Sequence, residues 1–157
     1  MLDSFDVPNA RVDVGTGLVL DGQGAIVQET RHVRTGPRAV DLPLRPDTPV
    51  TSVESPLVVA SNSVWQNHYH WVIQTLFPVW EWVESSEHED AQLLTPILSP
   101  HRRESLYMTG LVAGRHHQAP MGALSTPRAI VLRGTFNSPH ATHCRFCRLS
   151  SRSNLGR

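Results

Sequence analysis

The period of apolar and polar positions changes several times along this chain, and each change marks an element. Val12 and Val14 alternate with polar neighbours, Leu18, Val19 and Leu20 run up to the turn sequence "DGQG", and "AIVQE" returns from it. Period-two patterning on both sides of a glycine-rich turn predicts a β-hairpin within residues 11–30. Residues 31–56 are rich in Pro, Arg and Asp and hold no period, which predicts a connecting loop with one short strand near Ala39–Leu42. At Leu57 the pattern turns to "LVVAS", a β-branched run ending in small residues, as in a buried strand. "QLLTPIL" at 92–98 and "RAIVLRG" at 128–134 are two more such runs.

Between these strands lie helical patterns. From Asn67 to Glu84, Val72, Ile73, Leu76, Val79, Trp80 and Val83 recur at three- and four-residue intervals and form one apolar stripe. Asn67, His70 and Gln74 stand at i, i+3 and i+7 and share another face. Pro78 interrupts this pattern: it has no N–H for the Gln74 carbonyl, which predicts a kink or an early stop. In an exposed helix interior a proline costs about 3 kcal/mol. "SPHRRESLYMTG" predicts a second helix, with Ser99 as N-cap, Pro100 at the first position and Gly110 closing the end. Strand, helix, strand, helix and strand in alternation predict an α/β layer with a parallel sheet.

Composition narrows the function classes. A length of 157 residues suits one domain with a real core, and 39% apolar with 18% charged residues is the balance of a globular chain. No apolar run approaches the roughly 18 residues of a membrane-spanning helix. The N-terminus "MLDSFDVPNARVD" carries acids and no apolar block, so no secretory signal is expected and the cytoplasm is the expected location. Net charge is zero, yet the last acidic residue is Glu104 and seven arginines follow it. Such an end either faces phosphate or is a solvated basic face. Only Phe136 and Phe146 interleave the distal arginines with aromatic rings, so nucleic-acid binding is not expected. His140, His143, Cys144 and Cys147 in "HATHCRFC" invite a zinc reading. All four fall within eight residues, whereas zinc loops normally separate two ligand pairs by a dozen or more, so no zinc site is expected. The tail from Ser138 has no helix or strand period and reads as a frayed end or a shifted reading frame.

The chemistry concentrates in the first helix. Its polar trio occupies the first turns after a strand, which in an open α/β sheet border the carboxyl-end crevice where ligands bind. The unpaired N–H groups of a helix start favour an anion nearby. A histidine beside tryptophans can equally be a packing residue, and His68 points away from the trio. Trp65, Trp71, Trp80 and Trp82 read as core and rim, with Trp71 also able to stack on a sugar face.

"NHYHWVIQTLFPVW" resembles the N-Y-F-H-W-L-x-D/E/Q-x-L-P motif of glycosyltransferase family 61, which includes bacterial capsular polysaccharide biosynthesis proteins. "GLVLDGQGAIVQET" and "LLTPILSPHRRESLYMTGL" resemble, in the same order, the hairpin before that motif and the strand-and-helix segment after it; the likeness runs from about Asn9 to Pro139. Asn67, Tyr69, His70 and Trp71 match by position, and Gln74 stands where many members carry an acid. Phe77 and Pro78 depart from the motif, as if its proline had moved one place.

The resemblance implies the Rossmann-like N-terminal half of a GT-B-type enzyme, with an inverting transfer of sugar from a nucleotide-sugar donor to a glycan acceptor. It divides the chain into a hairpin and loop (1–56), a Rossmann-like acceptor-side domain (57–137) and a basic tail (138–157). It implies His70 as catalytic base or acceptor-binding group, and Asn67, Tyr69, Trp71 and Gln74 as substrate-binding. No metal and no cofactor beyond the donor substrate are expected. The family's donor-side half, with an arginine-rich segment and a H-G-A-G-like motif, does not follow before Arg157. The expectation is therefore a truncated or frame-shifted copy, inactive alone. The alternative is a non-catalytic α/β module that binds carbohydrate or protein through its Trp-rich helix.

Overall fold

The computed structural model describes residues 3–30, 48–60 and 65–133. The short strand expected near Ala39–Leu42, the histidine–cysteine cluster and the basic tail lie outside them. The described chain forms one mixed, mostly parallel sheet with helices. Its strands are β1 (Asp3–Asp13), β2 (Val19–Leu20), β3 (Val50–Ser52), β4 (Leu57–Val59), β5 (Gln92–Pro96), β6 (His116–Ala119) and β7 (Ala123–Arg133). They lie in the order β2-β1-β7-β4-β5-β6, with β3 also paired to β7. β4, β5, β6 and β7 run parallel, while β1 pairs antiparallel with β7 and with β2.

Side-chain alternation shows how the sheet is covered. Val58, Leu93, Ile130 and Leu132 join a buried cluster with Trp71, Val79, Trp82 and Leu106 from the helices. Their strand neighbours Leu57, Val59, Leu94, Ala129 and Val131 join a second cluster with Val7, Val12, Val14 and Val19. Successive strand residues point to opposite faces, so helices cover one face and the N-terminal strands fold over the other. Apolar runs such as "LVV", buried throughout, are what a strand covered on both faces requires. Three residues link the end of β6 to the start of β7. Such a link spans only about 14 Å, so the sheet curls to bring those ends together. The Val14 N–H donates to the Gly122 carbonyl at 2.9 Å inside that link.

The N-terminal hairpin forms with two turns rather than one. Between β1 and β2, Asp13 Oδ1 accepts from the Thr16 N–H (2.8 Å) and the Thr16 hydroxyl (2.7 Å). In "DGQG", Asp21 Oδ1 accepts from the Gln23 and Ala25 N–H groups, and Gly24 takes the positive φ of 82° that glycine adopts most readily. Residues 1–56, expected to precede the domain, contribute β1, β2 and β3 to the same sheet.

The first helix runs without a break from His68 to Ser85 in three parts: α1 (His68–His70), a wide π segment (Trp71–Leu76) and α2 (Phe77–Ser85). The stop expected at Pro78 does not occur. Ahead of it the Phe77 N–H reaches five residues back to the Val72 carbonyl. Pro78 directly follows that wide turn, inside the continuous helix. The buried face differs from the expected stripe. Trp71, Thr75, Val79 and Trp82 form the buried line, while Ile73 and Trp80 of the expected stripe are only half-buried. The helix ends at Ser86 in the left-handed conformation. The second helix, α3 (Pro100–Tyr107), has Ser99 as N-cap residue without a side-chain cap bond, and Gly110 at φ 91° follows it.

Thr75 is fully buried and its hydroxyl has no partner. An unpaired buried hydroxyl costs on the order of 1–3 kcal/mol. Thr75→Val, nearly isosteric, is expected to raise stability by about 1 kcal/mol, read as a higher denaturant midpoint at unchanged slope.

Candidate functional site

Both helices begin at the carboxyl end of the parallel strands they follow, α1 after β4 and α3 after β5. β4 is flanked by β5, next in the chain, and by β7, the last described strand, so the strand order switches direction there. Such a switch point opens a crevice at the carboxyl end of a sheet.

The first turn of α1 is built by its own cap. Asn67 has extended backbone, and its Oδ1 accepts from the Tyr69 N–H at 3.0 Å. Asn67 thus spends its side-chain oxygen on the helix start. Tyr69 is 64% exposed and meets the His70 ring edge-on at 5.6 Å between centroids. One turn on, His70 Nδ1 lies 2.9 Å from Gln74 Oε1. With an amide oxygen facing it, Nδ1 is placed to donate in the neutral ring, which would leave Nε2 as the acceptor nitrogen. A neutral amide fixes the ring's tautomer and direction but, unlike a carboxylate, adds no charge to stabilise an imidazolium. The spacing that placed His70 and Gln74 on one face is realised as a hydrogen bond.

Trp71 requires a correction. It is 1% exposed, its Nε1–H donates to Ser105 Oγ at 3.1 Å, and it belongs to the core under the helices. The ring offers no open face, so the expected sugar stacking at Trp71 gives way to packing. Trp65 and Trp82 are buried as well. The exposed aromatic ring of this turn is Tyr69.

α3 supplies what the sequence pattern did not suggest. Arg102 holds its guanidinium 5.1 Å from the Trp65 ring centroid and 5.8 Å from that of Trp71. It donates to the Gln66 carbonyl, next to the Asn67 cap. Its Nε–H is buried without a partner, and no carboxylate pairs with it among the described residues. These contacts are tertiary, and "PHRRESL" carries no signal for them. Two arginines of the basic C-terminal third are structural: Arg115 stacks 4.2 Å from the Trp82 ring centroid, and Arg128 pairs with Asp90 at 2.8 Å and Asp6 at 3.6 Å.

A second histidine lies apart, at the start of β6. His116 Nε2 is 2.8 Å from Thr95 Oγ1 and its Nδ1 is 3.2 Å from the Tyr107 hydroxyl. Burial, the Arg103 charge and His117 lower its pKa from 6.5 to about 4. The unfolded chain therefore binds a proton between those values that the folded chain refuses. Stability is expected to fall as pH drops from about 6.5 towards 4, and His116→Gln to flatten that slope, as melting temperatures at pH 7.5 and 5 would show. A depression of about 480 Å³ on α3, lined by Pro100, Arg103, Glu104, Tyr107 and Met108, contains none of the residues of the His70 turn.

Among the described residues no group of three or more His, Cys, Asp or Glu could hold a metal ion, and no helix is long and apolar enough to cross a membrane. Compared with family models, curated proteins and solved structures, the chain matches none.

Proposed function

We propose that this chain carries the acceptor side of an inverting sugar-transfer site, with His70 as the base. The observation that carries this reading is the His70 Nδ1–Gln74 Oε1 bond of 2.9 Å at the start of a helix that follows a parallel strand. In this reading a glycan hydroxyl attacks the anomeric carbon of a nucleotide sugar. The new C–O bond forms as the bond to the diphosphate breaks, and the hydroxyl proton passes to His70 Nε2. Asn67 shapes the turn, Tyr69 meets the sugar and Gln74 holds the imidazole. Groups for the leaving diphosphate are expected from a donor-side half, as in the glycosyltransferases that the motif resembles.

A second reading, a non-catalytic carbohydrate-binding module, is favoured by the 64% exposure of Tyr69. Titration calorimetry with an oligosaccharide panel, followed by addition of nucleotide sugars, separates the two. Binding weakened by Tyr69→Ala and followed by release of nucleoside diphosphate supports transfer. Binding without release in any donor–acceptor combination supports the module. No binding by any oligosaccharide overturns both.

A further inference from the structure

We infer that Arg102 is the positioning residue of the His70 turn, a role that rests on His70 being the working group of the site. Three contacts tie α3 to the start of the first helix. Ser105 accepts the Trp71 indole N–H, Arg102 packs against the Trp65 and Trp71 rings, and Arg102 bonds the Gln66 carbonyl. Trp65 and Gln66 precede the Asn67 cap and Trp71 follows His70, so these contacts bracket the turn on both sides.

Packing alone does not account for the choice of residue. A half-buried guanidinium with a buried, unpartnered Nε–H and no paired carboxylate among the described residues is costly, and an apolar side chain would fill the space without that cost. What arginine adds is a planar cation that lies against indole rings while its fork reaches a carbonyl beyond them. The bond to Gln66 fixes the residue before the cap, the Asn67–Tyr69 cap bond fixes the first turn, and that turn sets the His70 ring within reach of Gln74. Arg102 acts through the backbone and touches no substrate.

The test reads the His70 imidazole by long-range ¹H–¹⁵N NMR in the full chain. The wild type is expected to show a single tautomer protonated at Nδ1. Arg102→Met is expected to lose that signature while the Trp82 indole N–H, bonded to the Glu87 carbonyl at 2.9 Å beyond the far end of the helix, stays in place. Arg102→Lys, which keeps a cation and a donor but loses the planar fork, is expected to restore it in part. Should Arg102→Met not fold, Arg102→Gln takes its place, its amide being too short for the Gln66 carbonyl. A folded Met or Gln variant with the wild-type signature overturns the proposal, as does a Lys variant that restores none of it. No sugar need be transferred for this reading, so its failure is distinct from a failure of His70 as base.

Discussion

Trp71→Ala is expected to lower stability by about 3–5 kcal/mol, a large share of the 5–15 kcal/mol that typically holds a domain together. The indole is 1% exposed, packs among the strand and helix residues of the helix-side core, and donates to Ser105. Truncation removes the buried ring, leaves a cavity beneath the helix and takes away one of the two rings under Arg102. For a chain of this size the melting temperature should fall by roughly 6–20 °C. Trp80→Ala, at a half-buried position on the same helix, should lose less than half as much. Equal losses would contradict the assignment of Trp71 to the core. A Trp71 variant of wild-type stability that had lost only glycan affinity would return that ring to the binding surface.

The second large effect concerns rate. For any donor and glycan pair that the protein turns over, His70→Ala is expected to lower kcat by a hundred- to ten-thousand-fold, the range of a positioned general base. Stability should change by less than about 1 kcal/mol, because His70 is half-buried and no member of either core cluster. Gln74→Leu should cost part of the same factor by releasing the ring. Gln74→Glu should keep the rate or raise it, since a carboxylate both holds Nδ1–H and stabilises the imidazolium. Steady-state kinetics of the three variants check this. A His70→Ala enzyme at wild-type kcat would remove the imidazole from the reaction.

Much of this architecture was legible in the sequence. The runs at Leu57, Gln92 and Arg128 mark buried parallel strands because a strand covered on both faces needs continuous apolar residues. β6, "HHQA", escaped because its pattern carries polar side chains and only Ala119 is buried. β3, fully exposed, gave no pattern either. The extended β1 was missed because polar residues of "DSFDVPN" interrupt its apolar positions. Of the two outcomes expected at Pro78, a bend or an early stop, the stop does not occur: the helix widens to a π segment just before the proline and continues to Ser85.

The site shows the same division. His70 and Gln74 were legible because i, i+4 neighbours on a helix meet whatever surrounds them. Trp71, read as core and rim with sugar stacking as a further role, proves to be core, and Arg102 was passed over because stacking depends on how α3 lies across the first helix, which no local pattern records. The indole of Trp71 is buried, while Tyr69, two residues before it, is exposed.

Whether the His70–Gln74 pair faces a glycan is read by a titration of the folded chain with oligosaccharides, followed at the two ring nitrogens of His70. A saturable shift of Nε2 is expected, with Nδ1 remaining protonated against Gln74 and the shift weakened in Tyr69→Ala. Oligosaccharides that leave both nitrogens unmoved across the panel, or that shift only residues remote from this turn, would contradict it.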